Sequence, residues 1–521
     1  MQDLGWWKHA VVYQVYPRSF QDSNGDGIGD LNGICSRLDY LVELGIDAVW
    51  ISPIYPSPMA DFGYDVADYC GIDSIFGTMQ DFDRLLEEAH SRGLRLILDF
   101  VPNHTSDQHP WFIESRSSRS NPKRDWYIWR DHPNNWQSHF GGSAWEFDEK
   151  TGQYYLHEFL KEQPDLNWRN PEVKSAMFDA LRFWLRKGVD GFRVDVMWLM
   201  IKDDQFRDNP PNPAYEVGQG SRAKFLPVYD SDRPEVHDVV AEMRGVLEEF
   251  GDRVLIGEIY LPIPRLMSYY GQHLQGANLP FNFQLLQCAW TADELARTIG
   301  DYMSALPPGA WPNWVLGNHD KPRIASRIGP QKARAAAVLL LTLPGTLTIY
   351  NGEELGMQDI PIRPDEAQDP AEKRQPGIGM GRDPERTPMP WDNSPQAGFT
   401  TGSPWLPIGE ANRPVNVQSS ITEPDSMLGL YRRLLRLRRR EPALVSGQLT
   451  EMSAANGILQ FLMSDGKKQF RVVMNLGEEA REVPGHTGLV AACTTIHREG
   501  ESLTEPAQLE AGEAMIIEVS D

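Results

Sequence analysis

The chain has few cysteines and no long apolar run. Four cysteines are spread widely over 521 residues, and no two of them form a CxxC pair. This spacing argues against both a disulfide framework and a cysteine zinc site. No segment reaches the roughly 18 apolar residues of a membrane span, and the stretch from Met1 to Lys8 lacks the apolar core of a signal peptide. We therefore expect a cytoplasmic protein with no membrane partner.

Positive charge is also scarce. The 50 Lys and Arg residues face 73 Asp and Glu residues, so the net charge is −23. Nucleic acids and anionic membranes attract basic surfaces, so neither is an expected partner. The segment Gly377 to Gly381 superficially resembles a dinucleotide loop, but it does not join a strand to a helix, and we expect no organic cofactor. The composition favours a neutral small-molecule substrate, and the assembly is expected to be a monomer or a homodimer.

Strand-like and helix-like segments alternate through most of the chain. The predicted helices include a single one from Leu31 to Leu44, and one predicted strand runs from Ala277 to Phe283. Eight strand–helix pairs fit an α/β fold, the closed (β/α)8 or TIM barrel. In such a barrel the active site lies at the carboxyl ends of the strands.

Two parts of the chain depart from this alternation. After the third strand, residues 105–168 are rich in Trp, Asn, Ser and Pro and contain a short hairpin-like stretch from Ala144 to His157. We interpret them as an inserted subdomain after strand 3, and we assign residues 1–104 and 169–440 to the barrel. Residues 441–521 show short alternating runs, which predict a C-terminal antiparallel β-sandwich domain.

Polar clusters follow five of the predicted barrel strands. They occupy residues 61–65, 99–104, 193–195, 258 and 318–320. All five would lie on one rim of the barrel, which is hard to explain by structural needs alone. Several acids on one rim, without a cofactor, suggest glycosidic-bond chemistry, which uses one carboxylate as nucleophile and one protonated carboxyl as acid.

The residues of these clusters suggest separate roles. Arg193 and Asp195 are two apart on a strand and share a face, which fits either a structural ion pair or a functional one. Arg193 would lower the pKa of Asp195 and keep it ionised as a nucleophile. Glu258 follows an apolar strand with no adjacent cation, so its pKa should rise, as a general acid requires. Asp320 would favour a cationic transition state.

The loop after the first strand carries oxygen ligands at alternate positions. The candidate ligands are Asp22, Asn24, Asp26, Ile28 and Asp30. This spacing resembles the first half of a calcium loop, but Gly33 stands where an EF-hand needs its bidentate Glu. The loop could hold a hard cation, or it could be only a series of Asx turns.

Several motifs together resemble one enzyme family. Asp99 to His104, Gly191 to Asp195, Gly257-Glu258 and Asn318 to Asp320 are similar, in order and placement, to the four signature regions of the α-amylase family of glycoside hydrolases. Gln163 to Asn167 resembles the family's extra motif at the end of its inserted domain. Three other segments resemble more narrowly its α-glucosidase and oligo-1,6-glucosidase branch; they are Trp7 to Phe20, Asp61 to Asp65 and Gly381 to Trp391.

The resemblance implies a role for each matching residue. Asp195 matches the nucleophile of a retaining mechanism, Glu258 the acid/base and Asp320 the transition-state stabiliser. The implied ligands of the non-reducing glucose are Asp61, Tyr64, His104, Arg193, His319 and Arg386. Asp99 matches a supporting carboxylate. The Asp22 to Asp30 loop matches a structural Ca²⁺ (or Mg²⁺) site.

The resemblance implies an exo-acting α-glucosidase that releases glucose from short α-1,4- or α-1,6-linked oligosaccharides, with some transglucosylation. Asp61 and Arg386 are expected to pair and close the pocket behind one glucose. Val196 after the nucleophile favours α-1,6 bonds, but Met197-Trp198 departs from the Ile-Asn common in that branch.

Two alternatives remain. One is a sucrose isomerase or trehalose synthase, although Lys321 to Arg327 lacks the charged isomerase loop. The other is a binding protein like the heavy chains of amino-acid transporters, which carry a membrane span.

Overall fold

The computed structural model describes residues 5–483, 487–504 and 506–519. The first four residues of the Met1 to Lys8 stretch, and residues 484–486, 505 and 520–521 of the predicted C-terminal domain, lie outside the described residues. The strands are β1 Val11–Val15, β2 Ala48–Ile51, β3 Arg95–Phe100, β4 Trp129–Arg130, β5 Trp145–Asp148, β6 Gln153–Leu156, β7 Gly191–Val194, β8 Val254–Gly257, β9 Leu279–Pro280, β10 Asn313–Val315, β11 Thr346–Tyr350, β12 Gln448–Ala455, β13 Ile458–Ser464, β14 Gln469–Asn475, β15 Arg481–Val483, β16 Gly488–Cys493, β17 Ser502–Leu503, β18 Ala507–Leu509 and β19 Ala514–Val519.

The α-helices are α1 Pro17–Phe20, α2 Leu31–Ser36, α3 Leu38–Leu44, α4 Met79–Ser91, α5 Pro110–Ser115, α6 Pro171–Lys187, α7 Val236–Glu248, α8 Ile263–Ser268, α9 Gln284–Gln287, α10 Ala292–Ala305, α11 Ile324–Ile328, α12 Pro330–Thr342, α13 Pro370–Arg374, α14 Val417–Thr422, α15 Met427–Arg440 and α16 Ala443–Ser446. In the described part of the chain, no helix has both the length and the apolar character needed to cross a bilayer.

Eight parallel strands form the barrel and confirm the predicted fold class. Their order is β10-β11-β1-β2-β3-β7-β8-β9. The strands are almost wholly buried; all five residues of β1 and of β11, for example, are inside. Parallel strands covered on both faces need such continuous apolar runs. The alternating strands and helices of the sequence therefore give a barrel whose carboxyl ends share one rim.

One side chain and one glycine fix the barrel's geometry. Asn313 of β10 joins the two ends of the strand order, because its Nδ2 donates to the Pro280 oxygen at 2.7 Å and its Oδ1 accepts from the Asn282 N–H at 3.0 Å. Gly191 lets β7 approach β8 closely, since a Cβ there would lie 2.4 Å from the Val254 oxygen. The close packing of β7 against β8 therefore requires the glycine that begins the Gly191 to Asp195 motif.

Helix α6 shows how sequence signals set the element boundaries. The Asn170 side chain accepts from the Glu172 N–H, and Pro171 occupies the first helical position. Gly188 ends the helix with a left-handed φ of 109°. A polar N-cap, an initial proline and a terminal glycine are standard stop and start signals. The predicted bounds of this helix are therefore confirmed.

Two predicted elements differ from the structure. The single helix expected from Leu31 to Leu44 is two helices, because Arg37 leaves helical geometry with φ −109° and ψ 6°. The strand expected from Ala277 to Phe283 shrinks to β9, where Pro280 has no N–H to donate to a neighbouring strand.

The two regions outside the alternation form separate antiparallel sheets. Strands β4, β5 and β6 make a three-stranded sheet in the order β4-β6-β5, and the expected hairpin is its β5–β6 pair. Near the C-terminus, six strands run in the order β12-β13-β14-β19-β16-β17, and β15 pairs with β18 in a second sheet. The predicted C-terminal β domain is confirmed, with more strands than the sequence indicated.

Candidate active site

A buried arginine holds three carboxylates at the carboxyl end of β7. Arg193 Nη1 bonds to Asp99 Oδ1 at 2.9 Å and to Asp195 Oδ1 at 2.8 Å. Its Nη2 forms an ion pair with Glu258, with 2.7 Å between Nη2 and Oε2. Strands β3, β7 and β8 therefore bring their acids to one guanidinium. The expectation that Glu258 has no cation beside it is wrong, because the arginine reaches it from the neighbouring strand.

The pKa values of the two central acids are raised together. Burial and the Glu258 carboxylate raise the pKa of Asp195 well above its usual value, although Arg193 opposes the rise. Burial also raises the pKa of Glu258, again against Arg193. Arg193 does act to lower the pKa of Asp195, as expected, but burial and Glu258 outweigh it, so the net pKa is raised and not lowered. Two coupled carboxyls of this kind lose their protons in separate steps, so one can be ionised while the other keeps its proton.

The backbone at Val196, directly after Asp195, is strained. Val196, which follows Asp195, has φ 37° and ψ 46°, a left-handed conformation that is unusual for a β-branched residue. Its N–H donates to Glu258 Oε2 at 2.8 Å. Strain of this kind costs about 1–3 kcal/mol and is found at functional sites. Here it fixes the Glu258 carboxyl against the segment that carries Asp195.

Asp320 lies opposite these acids with its own cations. Arg386 Nη2 bonds to Asp320 Oδ1 at 2.7 Å, and Arg382 Nη1 approaches the same oxygen at 3.3 Å. Burial acts to raise the pKa of Asp320, but protonated His319 and the permanent cations Arg386 and Arg382 outweigh it and hold the pKa well below its usual range; at neutral pH the two arginines are the charges that remain. Asp320 is therefore ionised throughout the working pH range.

His319 is a neutral, fixed imidazole. Burial lowers its pKa well below the usual value. Gln14 Nε2 lies 2.7 Å from its Nδ1, and an amide nitrogen can only donate, so Nδ1 accepts and Nε2 carries the proton. Nε2 lies 2.6 Å from the Tyr64 hydroxyl, and the two rings stack with centroids 5.3 Å apart. The pair is held rigidly beside Asp320.

The partner of Asp61 is Arg382, and the expected pairing with Arg386 is wrong. Arg382 Nη2 bonds to Asp61 Oδ1 at 2.7 Å and to Asp369 Oδ1 at 2.8 Å. Arg386 is fully buried, and its Nε donates to the His319 oxygen at 2.7 Å. Both arginines belong to the same sequence motif, and only the three-dimensional arrangement distinguishes their partners.

A cavity of about 490 Å³ opens over these groups. The predicted site residues on its wall are Asp61, Tyr64, His104, Asp195, Glu258 and Asp320. The other predicted residues, Arg193, His319 and Arg386, are fully buried and hold these carboxylates from behind. Asp99 is also buried; burial raises its pKa to about 6, and Tyr64 donates to it at 3.1 Å.

Further lining residues were missed at the sequence level. They are Phe140, Phe159, Trp198, Tyr260, Met380 and Arg382. Arg382 lies within the Gly381 to Trp391 motif, where the sequence could have revealed it. The aromatic and Met residues carry no local pattern that marks them, because loops from distant parts of the chain bring them together.

A buried series of polar contacts that begins at Lys202 holds His104 in place. Lys202 Nζ bonds to Asp165 Oδ2 at 2.5 Å and donates to Asn103 Oδ1 at 2.6 Å. Asn103 Nδ2 lies 3.1 Å from His104 Nδ1, and His104 Nε2 lies 3.1 Å from the Tyr64 oxygen and 3.2 Å from Gln163 Nε2. Burial lowers the pKa of His104 to about 4. These polar contacts therefore fix a neutral imidazole on the cavity wall.

We expect Lys202→Met to weaken both folding and this positioning. It leaves Asp165 buried without a cation, which should lower the free energy of unfolding by about 3 to 5 kcal/mol in chemical denaturation. The added change Asp165→Asn removes the unpaired charge and should recover part of the stability. It should not recover KM, since Asn103 still lacks its anchor. Equal recovery of KM and stability would contradict a positioning role.

The Asp22 to Asp30 loop offers oxygen donors only, which fits a hard cation. Its carboxylates also accept from the loop's own amides: Asp22 from Gly25 and Gly27, and Asp26 from Ile28. Among residues 5–483, 487–504 and 506–519, no three His, Cys, Asp or Glu side chains form a group that could hold a metal ion. The metal site stays a prediction.

Comparisons with known proteins give a consistent result. The family model described as "Alpha amylase, catalytic domain" matches residues 14–447. The chain is 42% identical over 506 residues to a probable alpha-glucosidase of Rhizobium meliloti, covering 92% of each. It is 41% identical over 517 residues to an oligo-1,6-glucosidase of Parageobacillus thermoglucosidasius, covering 91% of each.

Solved structures are similar along the whole chain. The alpha-glucosyl transfer enzyme XgtA superposes with a TM-score of 0.93 at 38% identity, covering 99% of this chain and all of that one. The isomaltulose synthase SmuA of Protaminobacter rubrum superposes with a TM-score of 0.91 at 36% identity, covering 99% of each chain.

Proposed function

Because the chain belongs to the α-amylase family of glycoside hydrolases, we propose that it is a retaining, exo-acting α-glucosidase. Its substrates are short oligosaccharides and α-glucosides with a terminal α-linked glucose, joined α-1,4 or α-1,6. Transglucosylation is a side reaction. The relatives named alpha-glucosidase and oligo-1,6-glucosidase support this proposal.

A single observation carries the proposal. The cavity over Asp195, Glu258 and Asp320 has one end formed by Asp61 and Arg382, which are bonded to each other and largely buried. The lining also includes exposed residues, among them Gln287 and Met380, so the cavity opens to solvent. A pocket closed at one end accepts the terminus of a sugar chain and not its interior, which favours exo action.

The charge arrangement supports a two-step reaction. Glu258 would give its proton to the glycosidic oxygen as the bond to C1 breaks, and the Asp195 carboxylate would form an ester with C1. Water would then attack C1 and pass its proton to Glu258 as the ester bond breaks, which releases glucose and restores the Asp195 carboxylate and the Glu258 acid. Asp320, held ionised by its arginines, would stabilise the positive charge that develops on the ring.

The test compares rates on maltose, isomaltose, trehalose and sucrose side by side, with the first product followed by ¹H NMR. We expect glucose, released initially as the α-anomer, from maltose or isomaltose. Release of β-glucose would overturn retention. Cleavage within a long dextran or amylose, faster than release of terminal glucose, would overturn exo action.

Glucosyl isomerisation is a second candidate, favoured by the structural similarity to isomaltulose synthase. The same experiment separates the two reactions. A hydrolase yields glucose and fructose from sucrose, or leaves sucrose intact. An isomerase converts most of the sucrose into a disaccharide of equal mass.

We also propose that the Asp22 to Asp30 loop binds Ca²⁺. Addition of Ca²⁺ after EDTA treatment should raise Tm, because a ligand at 100 times its Kd stabilises by about 2.7 kcal/mol. Asp26→Ala removes one exposed ligand and should abolish the rise, whereas Asp39→Ala, which removes an exposed acid of α3 that pairs with Arg92, should keep it. A rise of equal size in the Asp26→Ala variant would contradict this site.

The cytoplasmic location, the absence of nucleic-acid partners and the choice between monomer and homodimer stay predictions. Light scattering after size-exclusion chromatography measures the assembly directly.

A further inference from the structure

A short glycine-rich segment forms part of the cavity mouth. We name residues 375–381 the mouth strap. Gly377 and Gly379 both have φ 76° and stand in open space. Gly379, Met380 and Gly381 line the cavity, whereas the neighbouring Ile378 does not belong to its lining among the described residues. Met380 and Ile378 are equally exposed, at 37% and 36%.

The base of the strap is braced by two other loops. Gln375 Oε1 accepts from the Ser221 N–H at 3.3 Å, and Gln375 Nε2 lies 3.6 Å from the Met380 sulfur. Arg374 Nη2 donates to the Gly141 oxygen at 2.9 Å. A Cβ at Gly141 would meet Gln375 at 2.2 Å, so the loops touch closely. The Met380 side chain is therefore held at the mouth by its own loop's anchor.

The wall that continues from the strap is apolar. Phe140, Ala371 and Leu160 form one buried cluster, with Phe159 packed against it. Phe140, Phe159 and Ala371 line the cavity together with Met380. Gln287 and Lys321 add polar groups to the lining, but the Lys321 ammonium lies 5.2 Å from the Tyr260 ring centroid, where the ring attracts its charge.

Polar and apolar groups meet in the cavity wall: the Arg382 guanidinium lies 4.9 Å from the Phe140 ring centroid, and the centroids of the His104 and Phe159 rings are 5.2 Å apart. The end at Asp61, Tyr64 and His104 is buried and rich in hydrogen-bonding groups, as a glucose ring needs. The mouth receives whatever is attached to the glycosidic oxygen. A sugar there would leave hydroxyls against thioether and phenyl surface, whereas a hydrocarbon would bury that surface favourably.

We propose that Met380 is a specificity-determining residue that makes the enzyme prefer α-glucosides with an apolar leaving group, such as n-alkyl α-glucosides. This inference rests on the proposed function. Met is a flexible, polarisable side chain that adapts to ligands of varied shape, and the glycines on both sides of Ile378 let the strap follow them.

The test is a series of methyl, propyl, pentyl and heptyl α-glucosides, with isomaltose as reference. In the wild type, kcat/KM should rise about twofold per added methylene, half of the effect of complete burial. Met380→Ser should flatten this rise, so that the ratio of kcat/KM for heptyl α-glucoside to kcat/KM for methyl α-glucoside falls towards one within that variant. Met380→Leu should retain the rise.

Ile378→Ser is the matched control, since it removes an equally exposed apolar side chain from the same strap without touching the cavity. It should keep the wild-type dependence on chain length. A flat series in the wild type, an unchanged series in Met380→Ser, or an equal loss in Ile378→Ser would each overturn the inference. Absence of turnover on every glucoside, methyl α-glucoside and isomaltose included, would instead reject the proposed function.

Discussion

Asp195→Asn is expected to lower kcat for 4-nitrophenyl α-glucoside by at least about 10⁴-fold, the scale seen when a catalytic nucleophile is removed. The amide cannot form the ester with C1, and it also removes one of the charges that balance Arg193. Steady-state kinetics on purified protein measure the loss. Asp195→Gly with added azide should regain part of the rate and give β-glucosyl azide, because azide attacks from the side that the carboxylate occupied.

The matched control for this change lies at the other end of β7. Asp190 precedes β7, is buried, and bonds to Arg95 Nη1 at 3.0 Å at the opposite end of the barrel. Groups at that face support stability and not chemistry. Asp190→Asn should lower Tm and leave kcat within about threefold. If Asp195→Asn retained turnover while folding normally, the assignment of the nucleophile would fail.

The second large effect is expected at Arg382. Arg382→Ala leaves Asp61 and Asp369 without their shared cation and opens the closed end of the pocket. Removing one partner of a buried ion pair lowers the free energy of unfolding by about 3 to 5 kcal/mol. Because the pair also shapes the pocket, we expect kcat/KM on isomaltose to fall about 10²- to 10³-fold. Arg382→Lys should restore little, since an ammonium cannot reproduce the planar fork that bonds both acids.

Arg363→Ala serves as the control for Arg382. Arg363 lies in the same long loop but is exposed and pairs only with Asp365 and Glu366 in the described structure. Its loss should leave kcat/KM within twofold, as for most surface ion pairs. A similar fall in both variants would mean that the loop as a whole is disturbed, and would contradict a specific role of the Asp61–Arg382 pair.

The sequence predicted the barrel because its signals are local and repeated. Buried parallel strands read as apolar runs, and caps such as Asn170 and Gly188 mark helix ends. It could not show that Arg37 interrupts a helix, since the apolar pattern continues across the break. Contacts between strands were also hidden, so the ion pair of Arg193 with Glu258 and the net pKa of Asp195 needed three-dimensional distances.

The candidate site shows the same division. Its acids stand at strand ends in recognisable motifs, and their types suggest their chemistry. The choice between Arg382 and Arg386 as partner of Asp61 depends on two guanidinium positions in one loop, which spacing alone does not resolve. The apolar mouth at Phe159 and Met380 comes from segments more than 200 residues apart and has no signature in either.

Arg193 makes folding and chemistry inseparable in this protein. A guanidinium stays charged at any pH that the fold survives, so the three acids around it always have one fixed counter-charge. A lineage could gain thermal robustness by swapping this costly ionic centre for apolar groups. The same change would remove the two acids, Asp195 and Glu258, that the reaction needs. Greater thermal stability therefore has to come from substitutions elsewhere in the molecule.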